Sequence, residues 1–377
     1  MNRILKQKNS FALYFFAFCP LGALYPLVGQ YLSSIGFSGT QVGIVTSVGT
    51  AMAVFAGMFW GKVYANVSHK RLVIEIMFIG AAIMALVSLS TKIFVIYVMI
   101  YAMMCFFQGP VHGLCDSLIM GNKGDYALIR SAGAVGYAVA VYFAGEHAER
   151  HGLDKIFIIY AAAFVISAII IMREKEPPYY KTEQKTIGAS ELFKNKKYIQ
   201  LLICAFFIMG TNVGNSTYFG YLFRESGGSV AGIGLAFLLM AGCEAPFMFL
   251  IPTINKKISS EKLLMFAVGV CVIRFAFYAT GPDWKMLIAT FFLQGISNGI
   301  LLVELVKYFG KIVEPRLSSI AVSTYYAIGN NLSVIVCSLI GGMVLDAFSA
   351  RGVYVFFAIW NLIALVLYVV MGLYKKS

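Results

Sequence analysis

Long apolar runs alternate with short polar breaks along the whole of this chain. Twelve runs can be drawn: Phe11–Tyr31, Thr40–Gly61, Leu72–Thr91, Ile93–Met120, Tyr126–Gly145, Ile156–Met172, Tyr198–Phe223, Val230–Ile251, Leu263–Gly281, Lys285–Phe309, Leu317–Leu345 and Val353–Tyr374. Most reach or exceed the ~18 apolar residues that mark a membrane helix. A chain in lipid must satisfy its own backbone hydrogen bonds, and a helix does so within one segment. The pattern therefore predicts an all-α membrane protein of twelve transmembrane helices, and the even number puts both termini on the same side.

The breaks organise the chain further. Only one is long: Arg173 to Lys197 carries Pro177, Pro178 and seven basic residues, and divides the spans six and six. The expected organisation is an N-terminal six-helix half over 1–172, a linker over 173–197 that includes a short surface helix at Ala189 to Asn195, and a C-terminal six-helix half over 198–377. The halves also repeat one another. Gly36, Ser38, Val42 and Gly43 open the second run; Gly227, Ser229, Ile233 and Gly234 open the eighth, at a shift of 191 residues. The same shift carries Gly61 to Pro252 and Arg71 to Lys262. Paired helical repeats with a substrate site between them are the usual construction of secondary transporters.

Composition agrees: of 377 residues, 60% are hydrophobic and 12% charged, which no soluble fold of this length hides. The net charge of +13 would suit nucleic acid if the basic residues were clustered, but they lie at the ends of the runs in alternate breaks. With the N-terminus cytosolic, 23 basic residues fall on the inner side, counting Arg130 and Lys307 at inner ends of their runs. Six fall outside: Lys92, Arg150, Lys155, Arg224, Lys285 and Arg351. The excess places both termini in the cytosol, and Arg3, Lys6 and Lys8 before the first run read as an uncleaved signal-anchor. The seven cysteines lie in apolar runs without a CxxC pair, so free thiols between helices are expected rather than disulfides or zinc. There is no GxxxxGK[ST] phosphate loop and no metal-spaced His/Cys cluster, which excludes an ATP-driven carrier and an enzyme of those types. No cofactor or metal is called for; the expected partners are a small-molecule substrate and the lipid bilayer, with no nucleic acid, and the chain is read as a monomer.

Charges inside the runs are the candidate chemistry, because one at mid-membrane costs roughly 2.5–3.5 kcal/mol on the insertion scale. They are Asp116, Arg130, Glu244 and Arg274, with Glu75, Glu304 and Lys307 nearer the ends of their runs. Asp116 and Arg130 flank one short break on adjacent antiparallel helices, where they can meet. A guanidinium fork and a carboxylate suit a polyhydroxylated ligand; they equally suit a structural ion pair. Tyr137, two turns past Arg130, offers an aromatic platform on that face, and Gly133, Gly136 and Ala140 leave room for a neighbouring helix. His112 lies one turn before Asp116, as a proton relay or as a hydrogen-bonded residue of the bundle. Glu244 and Arg274 have no charged neighbour one turn away, so each looks across the bundle. Glu304 and Lys307 can pair at i, i+3.

The break after the second run resembles the GxxxDxxGxRR loop of the major facilitator superfamily: Gly61, Lys70 and Arg71 fit, while Ala65 and Ser68 stand where an Asp and a Gly are expected. Within that superfamily the chain is most similar to the lactose permease and phenylpropionate permease branch. GALYP at Gly22–Pro26, PVHGLCDSL at Pro110–Leu118 and the Arg130–Tyr137 stretch carry this resemblance, which runs over essentially the whole chain.

The resemblance implies that Asp116 and Arg130 bind substrate, with Tyr137 where the branch places a Trp; His112, Asn212 and Asn215 are the further substrate-binding candidates. It implies that Glu244 couples substrate to protons and Arg274 assists proton release. Gln294 and Ser297 stand where lactose permease has a His and an acid, and Asn212, Asn215 and Ser216 where it has aspartates, which thins the coupling machinery. The implied function is secondary transport of a polar small molecule, a saccharide or nucleoside for preference, by alternating access and proton-coupled import, in the cytoplasmic membrane of a bacterium. An uncoupled facilitator, an exporter and an aromatic-acid permease stay open. A multidrug-type exporter would carry an acid in the first run, which has no charge.

Overall fold

A computed structural model describes residues 7–122, 126–176 and 189–375. Among these the structure is helical throughout, with no strand. The helices are α1 (Lys8–Leu24), α2 (Val28–Ser34), α3 (Gly39–Asn66), α4 (Lys70–Val87), α5 (Phe94–Gln108), α6 (Val111–Gly121), α7 (Tyr126–His151), α8 (Lys155–Ile171), α9 (Lys196–Glu225), α10 (Val230–Ile254), α11 (Ser260–Ala279), α12 (Trp284–Lys311), α13 (Ser318–Thr324) and α14 (Ser333–Val370). A π-helical stretch, Tyr325–Leu332, joins the last two.

Eight of the described helical segments are long and apolar enough to cross a membrane, nine when the pair α1 and α2 counts as one bent span. Those two meet at 42°, at the break that holds Pro26, whose ring cannot continue a helical ladder. The fifth and sixth predicted spans fall outside this number. The sixth is α8, which has only 17 residues, and the fifth corresponds to the first part of α7. The stretch Pro315–Val370 runs 56 residues, about 84 Å at helical rise and far more than one bilayer crossing. It is broken at Ser349, whose φ of 64° is the one left-handed non-glycine among the described residues. Large apolar side chains stand exposed along the helices, among them Phe249, Ile273 and Val370, as a lipid-facing surface requires.

The described residues form two compact units. The first holds 7–37, 44–122, 126–176 and 230–238; the second holds 38–43, 189–229 and 239–375. In the first, α1 packs along α7 and α8, and α4 along α8 and α5. Small residues set the α1–α7 spacing. Gly22 lies against the Tyr137 carbonyl and Gly136 against the Phe15 carbonyl, so a Cβ at either would strike backbone. In the second unit α14 packs against α9 and α11, and α11 against α12. Aromatic rings fill it: Phe219 lies 4.2 Å from Phe291, and Phe275 5.4 Å from Phe357, between ring centroids.

The repeat seen in the sequence reappears as conformation. Gly36 and Gly227, 191 residues apart, both take positive φ (93° and 85°), and helices start three residues later, at Gly39 and Val230. The first turn of α3 clusters with the second unit, where Asp346 accepts hydrogen bonds from the Gly39 and Thr40 amides and the Thr40 hydroxyl (2.5, 2.7 and 2.6 Å). The first turn of α10 clusters with the first unit, where Glu149 accepts from the Val230 amide at 2.6 Å. Each acid satisfies amide donors that a helix start leaves open and complements its dipole.

Arg71, the surviving end of the superfamily loop, pins the start of the linker. Its Nε is 2.9 Å from Glu176 and its Nη1 bonds the carbonyls of Met172 and Glu174. The linker's short helix is a 3-10 turn, Ala189–Lys194, with Leu192 buried; residues 177–188 lie outside the described part. All seven cysteines are free, and six of them are buried.

Candidate functional site

Span four breaks at Gly109–Pro110, and the missing Pro110 amide interrupts the helical ladder. α6 then presents His112 and Asp116 toward α1. The Tyr14 hydroxyl donates to the half-buried Asp116 carboxylate at 2.6 Å, the short distance of a charge-assisted bond. One turn on, Phe18 lies under Arg130, whose guanidinium carbon is 4.2 Å from the ring centroid, and 4.3 Å from the His112 ring. Tyr126 interacts with both Asp116 and Arg130. The outcome is an aromatic wall, Tyr14 and Phe18, carrying a carboxylate at one end and a guanidinium at the other.

One feature differs from what the short break suggests, and His112 takes one of its two readings. Asp116 and Arg130 form no ion pair within 4.0 Å, because Tyr14 engages the acid and Phe18 the arginine. His112 is a hydrogen-bonded residue of the bundle: its Nε2 lies 2.9 Å from the Ala17 carbonyl, to which it donates. That bond holds the ring against α1. Tyr137 is half-buried further along α7, where its carbonyl meets Gly22. Tyr14, Phe18 and Tyr126 escaped the sequence reading, which followed charges. The available signal was Tyr14 itself, a phenol inside an apolar run that needs an acceptor.

The second cluster lies inside the second unit. Asn212 and Asn215 on α9 meet Gln294 on α12: Asn215 Nδ2 donates to Gln294 Oε1 at 3.2 Å, and Gln294 Nε2 to the Asn212 carbonyl at 3.4 Å. The Tyr354 hydroxyl of α14 donates to Asn215 Oδ1 at 2.7 Å, and Arg274 Nη2 to Asn212 Oδ1 at 3.4 Å. Asn212, Asn215, Arg274 and Gln294 are all buried. Four helices thus converge on an amide network that presents donors and acceptors in fixed positions.

Glu244 belongs elsewhere. It accepts from Asn298 Nδ2 of α12 at 2.7 Å, while Arg274 faces Asn212 and the rings of Phe275 and Tyr278. The acid and the arginine do look across the bundle, but to amides rather than to each other. Asn298, one turn past Gln294, was not singled out in the sequence. Glu304, fully buried, accepts from Asn255 at 2.7 Å and lies 3.5 Å from Lys307, the i, i+3 pair the spacing suggested. No group of His, Cys, Asp or Glu among the described residues is arranged to hold a metal ion.

Known proteins of this kind are carriers. The sequence model described as MFS_1 like family matches residues 9–356. The maltose permease of Geobacillus stearothermophilus is 30% identical over 385 residues, covering 98% of this chain and 96% of the relative. The uncharacterized transporter YwbF of Bacillus subtilis (strain 168) is 30% identical over 356 residues, covering 93% of this chain and 89% of the relative. Among solved structures, the nucleoside transporter NupG superposes with a TM-score of 0.87 over 100% of this chain and 100% of the other, at 18% identity, a likeness of fold.

Proposed function

This chain belongs to the MFS_1 like family of membrane transporters, and we propose that it imports a saccharide or a nucleoside across the cytoplasmic membrane of a bacterium by proton-coupled alternating access. Its architecture is then twelve spans in two six-helix halves with both termini cytosolic, a reading supported by the distribution of basic residues and by the 191-residue repeat of the turns at Gly36 and Gly227. The names of relatives support the substrate class: one is a maltose permease and another a nucleoside permease of Escherichia coli, 20% identical over 97% of this chain.

The observation that carries the proposal is the Tyr14–Asp116 and Phe18–Arg130 arrangement. A solute rich in hydroxyls donates to Asp116 and accepts from Arg130, while its apolar ring face packs on the aromatic wall. Tyr14 orients the carboxylate before the ligand arrives, which lowers the ordering cost of binding. Asn212, Asn215 and Gln294 offer a second set of amide donors and acceptors. Glu244 is the acid proposed to carry the coupled proton, since it is half-buried and accepts a hydrogen bond from the neutral Asn298 amide.

Thermal unfolding of the purified carrier with maltose, other sugars and nucleosides tests the substrate class. A stabilising ligand whose effect vanishes in Asp116→Asn and Arg130→Lys supports the site; equal stabilisation in both variants removes these residues from it. Uptake into proteoliposomes under an imposed pH gradient tests the coupling. Accumulation driven by an acidic exterior and abolished in Glu244→Gln is expected, and uptake indifferent to the gradient replaces coupling with facilitation.

A further inference from the structure

Among the described residues Arg274 heads the fully buried side chains by size, with 1% of its surface exposed. A guanidinium keeps its positive charge under all working conditions, so it cannot escape burial by losing a proton. Its polar contacts are thin: Nη2 reaches Asn212 Oδ1 at 3.4 Å, at the long end of hydrogen bonding, while Nε and Nη1 have no partner. The Phe275 and Tyr278 rings lie 4.4 and 5.8 Å from its carbon.

The acids of the second unit are committed to other groups. Glu244 takes Asn298, Glu304 takes Asn255 and Lys307, and Glu261 takes Lys311; among the described residues none comes within 4.0 Å of Arg274. Nearby acceptors are engaged too. Asn212 Oδ1 also receives the Cys271 thiol, Asn215 Oδ1 the Tyr354 hydroxyl, and Gln294 Oε1 the Asn215 amide. Aromatic faces return part of the lost solvation, but a buried charge is ordinarily paired. Water or a neutral sugar would fill the donors and leave the charge uncompensated.

We propose that Arg274 anchors an anion-binding site within the second unit, which takes one small monovalent anion, a halide or a carboxylate group, against the unpartnered guanidinium nitrogens. The two sources share this chemistry and differ in consequence. A free halide makes the anion a companion of transport, whereas a carboxylate makes it part of the carried solute. The proposal is independent of which sugar or nucleoside is carried, and the titration below contains neither, so it stands or falls separately from the substrate reading.

The test is thermal unfolding of the full-length purified protein in detergent, with sodium methanesulfonate, neither halide nor carboxylate, replaced stepwise by sodium chloride or by sodium formate at constant ionic strength. The expected result is a saturable rise in Tm with chloride, formate or both, following the linkage of a ligand that binds only the folded state. A response to chloride alone assigns a free ion, and a response to formate alone assigns a carboxylate. Arg274→Gln is expected to abolish the response. Arg274→Lys, which keeps the charge but loses the planar fork, is expected to raise the half-saturating concentration about tenfold, and it serves if the Gln variant does not fold. Wild-type protein equally stable in all three salts overturns the site, as does an unchanged half-saturation in Arg274→Lys or a retained response in Arg274→Gln.

Discussion

Gly136→Ala tests the packing that brings α1 to the candidate site. An added Cβ at this position meets the carbonyl of Phe15, and the reciprocal contact of Gly22 with the Tyr137 carbonyl prevents the helices from sliding to relieve it. The obstacle is backbone, so no rotamer change absorbs the overlap and α1 must move away from α7. Overpacking of this kind costs about 1–3 kcal/mol, and a backbone clash belongs at the upper end. For a half of this size each kcal/mol shifts Tm by about 2–4 °C, so a loss of roughly 5–10 °C is expected. A thiol-reactive fluorescent dye reads it directly, because six of the seven cysteines are buried. Cys19 sits at the perturbed contact, its thiol 3.4 Å from the Gly136 carbonyl, so its labelling in the folded state should also accelerate. Gly57→Ala is the control: it too lies mid-helix, but nothing occupies the space around its added Cβ, and Ala there should gain about 0.5–1 kcal/mol. Equal Tm values for the two variants would refute the idea that the α1–α7 contact is set by backbone approach.

Other outcomes follow from single contacts. Phe18→Ala removes the ring under Arg130 and a cation–π term of about 0.5–2 kcal/mol, so KM for uptake, which does not depend on the amount of folded carrier, should rise roughly 2–30-fold; an unaltered KM would separate Phe18 from the site. Ser349→Gly relieves a residue held at φ 64° and ψ −177°, a region nearly reserved for glycine, and should stabilise by about 1 kcal/mol after the entropic cost of glycine; a lower Tm in that variant would contradict the strain. Burial raises the Glu174 carboxyl above its ordinary value, against the opposing effects of the Ser10 hydroxyl and Arg71. The folded state therefore holds this proton more tightly than the unfolded state does, and stability should fall as pH rises from the ordinary carboxylate value through the raised one. Glu174→Gln should flatten that part of the Tm–pH curve, and an unchanged slope would exclude Glu174 as its source.

Much of this protein is legible in its sequence, because membrane helices are specified locally. Length and hydropathy mark the spans, and the pattern shared by Gly36–Gly43 and Gly227–Gly234 foretells two turns that share one left-handed conformation. The small faces at Gly133, Gly136 and Ala140 likewise announce a close neighbour, and α1 is that neighbour. What the sequence leaves open is who meets whom. Asp116 and Arg130 flank one short break, yet Tyr14, about a hundred residues away, engages the acid and Phe18 the arginine. Glu244 and Arg274 are charges on successive helices, yet each ends on an amide of another span. Periodicity tells which face of a helix a side chain occupies, not how that helix is rotated against its neighbours. The rotation is chosen by packing of the whole bundle, by glycines against carbonyls and rings against rings, and only the tertiary structure records that choice.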